Sequence, residues 1–362
     1  MTAVSAAFSA SYAQARAKFL AAAADAGLQV QSYIHPEKGR DGEVLAMDVA
    51  LDGPAHADKL LIVTSACHGV EGYCGSGIQV LALGDAAWRH KAREAGVAVL
   101  YVHALNPYGF SHIRRTTQEN VDLNRNFHDY DQPLPANEAY GEIHALLLPE
   151  TWPPSDQNAQ AVARYIGTRG EQAWQAAITA GQREFADGLF FGGTGPCWSN
   201  TTYRQVLRDH AQRATRLAWI DIHTGLGPSG VGERIFAGRD DRAAIARARR
   251  WWGDKVTSIY DGTSTSAFLT GMAFAAVYEE CPQAEYTGIA MEYGTQPVLQ
   301  VMQALRGEHW LNNHPEASAE LAASIRQQMM HAFYTDTDAW KEQVALQARE
   351  ALFQSVEGLA GE

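Results

Sequence analysis

Apolar residues recur along the chain in two periods. Lys59–Ala66, Val97–Leu105, Leu217–His223 and Gly288–Tyr293 are near-continuous aliphatic and β-branched runs, as expected of strands covered on both faces. Val30–His35 and Val44–Leu51 read as two more strands, joined through the turn-rich segment Pro36–Gly42. Helical spacing appears in Phe8–Ala26, which stops at Gly27, and in Gly77–Leu83 and Ala86–Ala95. It returns in Arg239–Trp252, Pro297–Asn312 and Pro315–Phe333. Strands alternating with helices predict an α/β protein whose mostly parallel or mixed sheet carries helices on both faces. Residues 128–200 are the least regular stretch, broken at Gln132–Pro135, Thr151–Ser155 and Gly192–Pro196. They read as an insertion on a single catalytic domain spanning residues 1–362.

Composition narrows the function classes. The chain has 362 residues, 46% hydrophobic and 19% charged, which excludes wholesale disorder. Its 29 Lys and Arg against 41 Asp and Glu give a net charge of −12. That opposes a nucleic-acid or anionic-membrane partner, which calls for a basic face. No apolar run approaches the ~20 residues that cross a bilayer. Cys67, Cys74, Cys197 and Cys281 show no metal-knuckle or CxxC spacing, and the alanine-rich opening segment carries Arg16, Lys18 and Asp25. The expectation is a reduced, cytoplasmic protein with free thiols.

Candidate chemistry lies at the ends of the buried strands. His68 follows one strand directly, with Glu71 three residues on, an imidazole and carboxylate pair that zinc accepts. His223 ends a second strand, with Asp221 two residues earlier on the same side. Glu292 interrupts an apolar strand near its end, where a carboxylate must be paired, hydrogen-bonded or metal-associated. Ligands of open α/β sheets bind beyond the carboxyl ends of the strands, so these residues converge on one place. A fourth cluster, Asn106-Pro107 through Arg114-Arg115-Thr116 to Asp122-Leu-Asn-Arg-Asn-Phe127, follows another buried strand. Its arginines suit carboxylate binding and oxyanion stabilisation.

Taken in order, His68-x-x-Glu71, Asn106-Pro107-Tyr-Gly-Phe, Arg114-Arg115-Thr, Asp122-Leu-Asn-Arg-Asn-Phe127, His223 and Glu292 resemble the zinc carboxypeptidase superfamily, nearest an uncharacterised bacterial branch. The resemblance runs from about Lys59 to about Gly294. It implies a three-layer α/β/α fold around a mixed, twisted, about eight-stranded sheet, with one Zn2+ per chain. His68, Glu71 and His223 would be the metal ligands, and Asp122 would orient His68. Arg114 would polarise the scissile carbonyl, with Arg115 as the alternative. Asn124 and Arg125 would hold a substrate carboxylate, and Glu292 would be the general base. Tyr260, in Ser258-Ile-Tyr-Asp-Gly-Thr263, is similar to the family's substrate-capping tyrosine. The stretch from Tyr260 to Glu292 is longer than the family's, which leaves Tyr278 as a competitor.

These residues imply a zinc-dependent hydrolase cleaving an amide beside a free carboxylate, with a short peptide as substrate. Motifs shared with the aspartoacylase and succinylglutamate desuccinylase branch offer an alternative, an amidohydrolase acting on an N-acyl amino acid. A zinc-binding protein without hydrolytic activity is the third reading.

Overall fold

A computed structural model of the protein describes residues 4–361. Seven strands form one mixed sheet: β1 (Val30–Lys38), β2 (Val44–Asp52), β3 (Lys59–Thr64), β4 (Val97–His103), β5 (Arg216–Ser229), β6 (Gly232–Phe236) and β7 (Glu285–Gly294). Their order is β1-β2-β4-β3-β5-β7-β6. The inner strands β4, β3, β5 and β7 are parallel, and the flanking β1, β2 and β6 are antiparallel to their neighbours.

Two faces explain the continuous apolar runs. Leu61 and Val63 of β3 pack into one core with Val99, Tyr101 and Ile220. Their neighbours Leu60 and Ile62 pack into the opposite core with Leu100, Val102 and Trp219. The first face is covered by helices Tyr12–Asp25, Gly72–Gly84 and Asp338–Gly361, and the second by Trp198–His210 and Phe274–Glu280. Strand parity therefore assigns Leu60 to Val63 alternately to the two cores, so no polar position interrupts that run.

The α/β expectation holds, with seven strands among the described residues in place of about eight. Five-residue β6, with Glu233 and Arg234 in its centre, carries too little apolar signal to be read as a strand. The terminal helix Asp338–Gly361 also escapes the apolar pattern, because small residues such as Ala348 and Ala351 supply much of its buried face. Within 128–200 the chain forms three helices, Glu138–Leu147, Asp156–Arg169 and Glu171–Thr179. Among the described residues no helix is long and apolar enough to cross a membrane.

Candidate active site

The parallel strands deliver the site at their carboxyl ends. β3 stops at Thr64, and Ala66 takes a left-handed conformation (φ 56°) that turns the chain out of the sheet. His68 then precedes the single turn Gly69–Glu71, which leads into helix Gly72–Gly84. Glycine is required at 69, because a Cβ there would lie 2.1 Å from the carbonyl carbon of Gly109. This close approach lets Gly69 N and Val70 N donate to Arg115 O (3.1 Å) and Arg114 O (2.8 Å). The turn bearing His68 and Glu71 is thus stitched to the arginine loop. His223 of β5 lies opposite Glu292 of β7 in the parallel register.

Glu71 is the hub. Its Oε1 lies 2.9 Å from His68 Nδ1, and its Oε2 lies 2.9 Å from His223 Nδ1 and accepts from Thr224 N at 3.1 Å. One ligand atom from each of His68, Glu71 and His223 falls within 4.8 Å of the others, all three residues being buried. Behind them, His223 Nε2 meets Asp221 Oδ2 at 2.6 Å, and His68 Nε2 lies 3.4 Å from Asp122 Oδ1. Asp221 is itself fixed by the Thr64 hydroxyl at 2.5 Å. Carboxylates behind metal-binding imidazoles orient the rings in this way.

Charge decides what the group could hold. Burial pushes the Glu71 carboxyl up, but His68 and His223 overcome that and hold it below the usual carboxylate range. Burial pushes the His223 ring down, but Asp221 and Glu71 outweigh it and raise the ring well above an ordinary histidine. An imidazole between two carboxylates requires a positive charge, supplied by a proton or by a metal at Nδ1. Glu71, Asp122 and Asp221 are matched by Arg115, Arg125 and a protonated His223, so a metal ion at the three ligands would take the place of that proton. A second grouping, Cys67 with Asp221 and His223, is also close enough to hold an ion. Burial, reinforced by Asp221, pushes the Cys67 thiol well up, so it keeps its proton and ligates poorly. Glu292 accepts from Leu226 N at 3.0 Å, and burial plus the charge of Glu71 push its carboxyl up to about 8.

The two arginines part company. Arg115 Nε donates to Asp122 Oδ2 at 2.9 Å, its Nη1 lies 3.4 Å from Glu71 Oε1, and its Nη2 lies 2.7 Å from His68 Nε2. Arg114 points elsewhere. It donates from Nε to Glu308 Oε1 at 2.6 Å and from Nη2 to Asn120 Oδ1 at 2.9 Å, both buried. Of the two arginines proposed for the scissile carbonyl, Arg114 stands away from the cleft, and the guanidinium that lines it belongs to Arg115. Asn124 and Arg125 line the same cleft. Arg125 donates to Thr179 O from Nε (3.1 Å) and Nη2 (2.6 Å), and burial lowers it to about 10 against the pull of Asp122. Asp122, which burial would raise, is held well below its usual range by Arg115 and Arg125.

The tyrosines do not join them. Tyr260 Oη donates to Gly238 O at 2.8 Å, and Tyr278 lies under the Arg239 guanidinium (4.3 Å to the ring centre). Neither lines the cleft, whereas Ile259 does.

Sequence reasoning missed several wall residues. Phe190 is buried, holds φ 53°, and lies 5.1 Å from the Arg115 guanidinium and 5.5 Å from that of Arg125. Such a backbone is an outlier for a bulky residue. It is locked by Gln182 N donating to Phe190 O (3.1 Å) and Asp122 N to Phe191 O (2.7 Å). Glu308 was detectable in principle, as a carboxylate in helical step with Val301, Ala304 and Leu305. The cleft measures 180 Å³ and is also walled by Gln175 and Thr179 from the irregular segment.

Residues 8–347 match the profile of a family described as "Protein of unknown function (DUF2817)". No curated protein matches the chain. Among solved structures, bovine thrombin-activatable fibrinolysis inhibitor in complex with tick carboxypeptidase inhibitor is 10% identical, with TM-score 0.52, covering 98% of each chain. A second structure of thrombin-activatable fibrinolysis inhibitor is 9% identical with TM-score 0.55, over 97% of this chain and 74% of that one. A Pseudomonas aeruginosa metallo-carboxypeptidase bound to (2-guanidinoethylmercapto)succinic acid is 13% identical with TM-score 0.44, over 95% and 68%. The chain belongs to the DUF2817 family and has the carboxypeptidase-like α/β fold.

Proposed function

We propose that the chain is a zinc-dependent hydrolase that cleaves an amide bond next to a free carboxylate, as a carboxypeptidase-like metallopeptidase. One observation carries the reading: His68, Glu71 and His223 converge beside Glu292, under the guanidinium groups of Arg115 and Arg125. The three ligands would hold the ion, with Asp122 and Asp221 orienting the two rings. Bound there, zinc would supply Lewis acidity and activate a water for attack at neutral pH.

The remaining roles belong to the protein's own groups. Glu292 takes a proton from the attacking water and passes it to the leaving nitrogen, and its raised pKa suits a base working near neutrality. Arg115 donates to the oxyanion as it develops, a contact worth about 3 kcal/mol. Arg125 and Asn124 receive the substrate carboxylate, with Phe190 packed beneath both arginines. The reading treats the chain as one catalytic domain, with residues 128–200 as an insertion walling the cleft. Four free, buried cysteines suit the cytoplasm. Closure by Gln175, Thr179 and Phe190 favours short substrates, so an N-acyl amino acid is the second reading beside a short peptide.

A released-amine assay tests this on dipeptides and N-acyl amino acids, each as free acid and as C-terminal amide, before and after chelation. The expected result is metal-dependent hydrolysis in which amidation lowers kcat/KM by about tenfold to a hundredfold, the worth of a charged bidentate contact. Equal turnover of acid and amide contradicts the carboxylate clamp. Stoichiometric metal with no turnover of any member indicates a metal-binding protein.

A further inference from the structure

We infer that the side chain accepted beside the carboxylate is apolar and uncharged, so the substrate is an amide of an aliphatic or aromatic amino acid. The inference rests on the hydrolase reading above and adds its substrate class. The charged residues lining the cleft are His68, Glu71, Arg115, Arg125, His223 and Glu292, all committed to metal, oxyanion, carboxylate or proton. The rest of the lining is neutral. Ala290 shares a face of β7 with Glu292, and Ile235 of β6 lies opposite Ala290 in the antiparallel register. Helix Val298–Asn313 turns Val298, Val301, Met302 and Leu305 to the cleft, the i, i+3, i+4, i+7 stripe of one apolar face.

Nearby charges able to recruit a charged side chain are already engaged. Glu233, across from Glu292, accepts from the Thr257 hydroxyl (2.5 Å), Thr265 N (3.1 Å) and the Thr265 hydroxyl. Arg183 donates to the carbonyls of Gly192, Gly193 and Arg125. Arg114 is paired with Glu308. A substrate lysine or glutamate would therefore enter without a partner, which is costly in a recessed site. An independent observation points the same way. Of the seven large hydrophobic residues exposed among the described residues, Val298 lines the cleft, Leu299 follows it, and Phe268 lies in the 259–272 loop that forms another wall. An apolar ligand would cover such surface.

The test uses N-acetyl derivatives of alanine, valine, leucine, phenylalanine, lysine and glutamate. Binding is measured by calorimetry on the full chain, and kcat/KM on the metal-loaded chain. Affinity should rise from alanine to leucine by about fourfold per buried methylene, equivalent to about 0.8 kcal/mol. The lysine and glutamate members should bind at least tenfold more weakly than leucine. A Met302→Asp variant, which places a carboxylate in the wall, should shift preference toward lysine by tenfold or more. Binding of lysine or glutamate as tight as leucine, or an unchanged ranking in Met302→Asp, overturns the inference. Apolar-ranked binding without turnover supports it and overturns the hydrolase reading instead. No binding of any member overturns both.

Discussion

Arg114 turns its guanidinium to Glu308, whereas Arg115, one residue on, lies against His68, Glu71 and Asp122. Truncating each should therefore fail in a different way. Arg114→Ala leaves the Glu308 carboxylate buried and unpaired, with His309 Nδ1 3.4 Å away, at a cost of about 3–5 kcal/mol. Arg115→Ala removes an oxyanion donor and should lower kcat by roughly a hundredfold or more, with metal still bound. Denaturant melts and turnover measured on both variants check this. A kcat loss confined to Arg114→Ala would reverse the assignment. His223 and Glu292 were legible because residues in a strand inherit their direction from its parity, and His68 and Glu71 because a histidine and a carboxylate three residues apart follow the end of a buried strand. Arg114 and Arg115 sit in a loop with no period, and the partner that separates them lies 194 residues away. Tyr260 lies off the cleft for a reason of the same kind, its hydroxyl being claimed by the Gly238 carbonyl, which no local pattern encodes.

At the scale of elements, the parallel strands were readable because both their faces are buried, and β6 was not because it is short and carries charge. Two elements also bury a histidine whose ring is pushed well down. His103 ends β4 against Phe19 (ring centres 4.6 Å) with Ser76 Oγ 2.9 Å from its Nε2, and His309 lies inside helix Val298–Asn313. Burial lowers each ring to about 4, against smaller opposing pulls from Asp48 and Glu308 respectively. Above pH ~6.5 these rings are neutral whether folded or not, so they contribute no pH dependence there. Between about 6.5 and 4 the unfolded chain takes up protons that the folded chain refuses. Stability therefore falls as pH drops through that window, by up to about 3 kcal/mol per histidine. Denaturation midpoints from pH 7.5 to 4.5 should show this decline, and His103→Gln should flatten it by about half. An unchanged slope would show that His103 titrates normally in the fold.

The whole molecule brings together residues from 68 to 292 by placing β3, β5 and β7 side by side, so that His68, His223 and Glu292 emerge at one edge. Helix Val298–Asn313 and the irregular segment then wall that edge, one with its apolar stripe and the other with Gln175, Thr179 and Phe190. The sheet and the residues it aligns were readable from strand patterning. The walls were not, because they form only when segments distant in sequence fold over the strand ends. The central claim is that a His68–Glu71–His223 metal centre works with Glu292 as its base. Metal content and turnover of the wild type and Glu292→Gln, measured on the same preparations, test it most directly. The account predicts about one equivalent of zinc in both proteins, with turnover of a free-acid substrate lower by roughly 10²–10⁴-fold in the variant. A wild type without stoichiometric metal, or a variant that turns over at the wild-type rate, would contradict it.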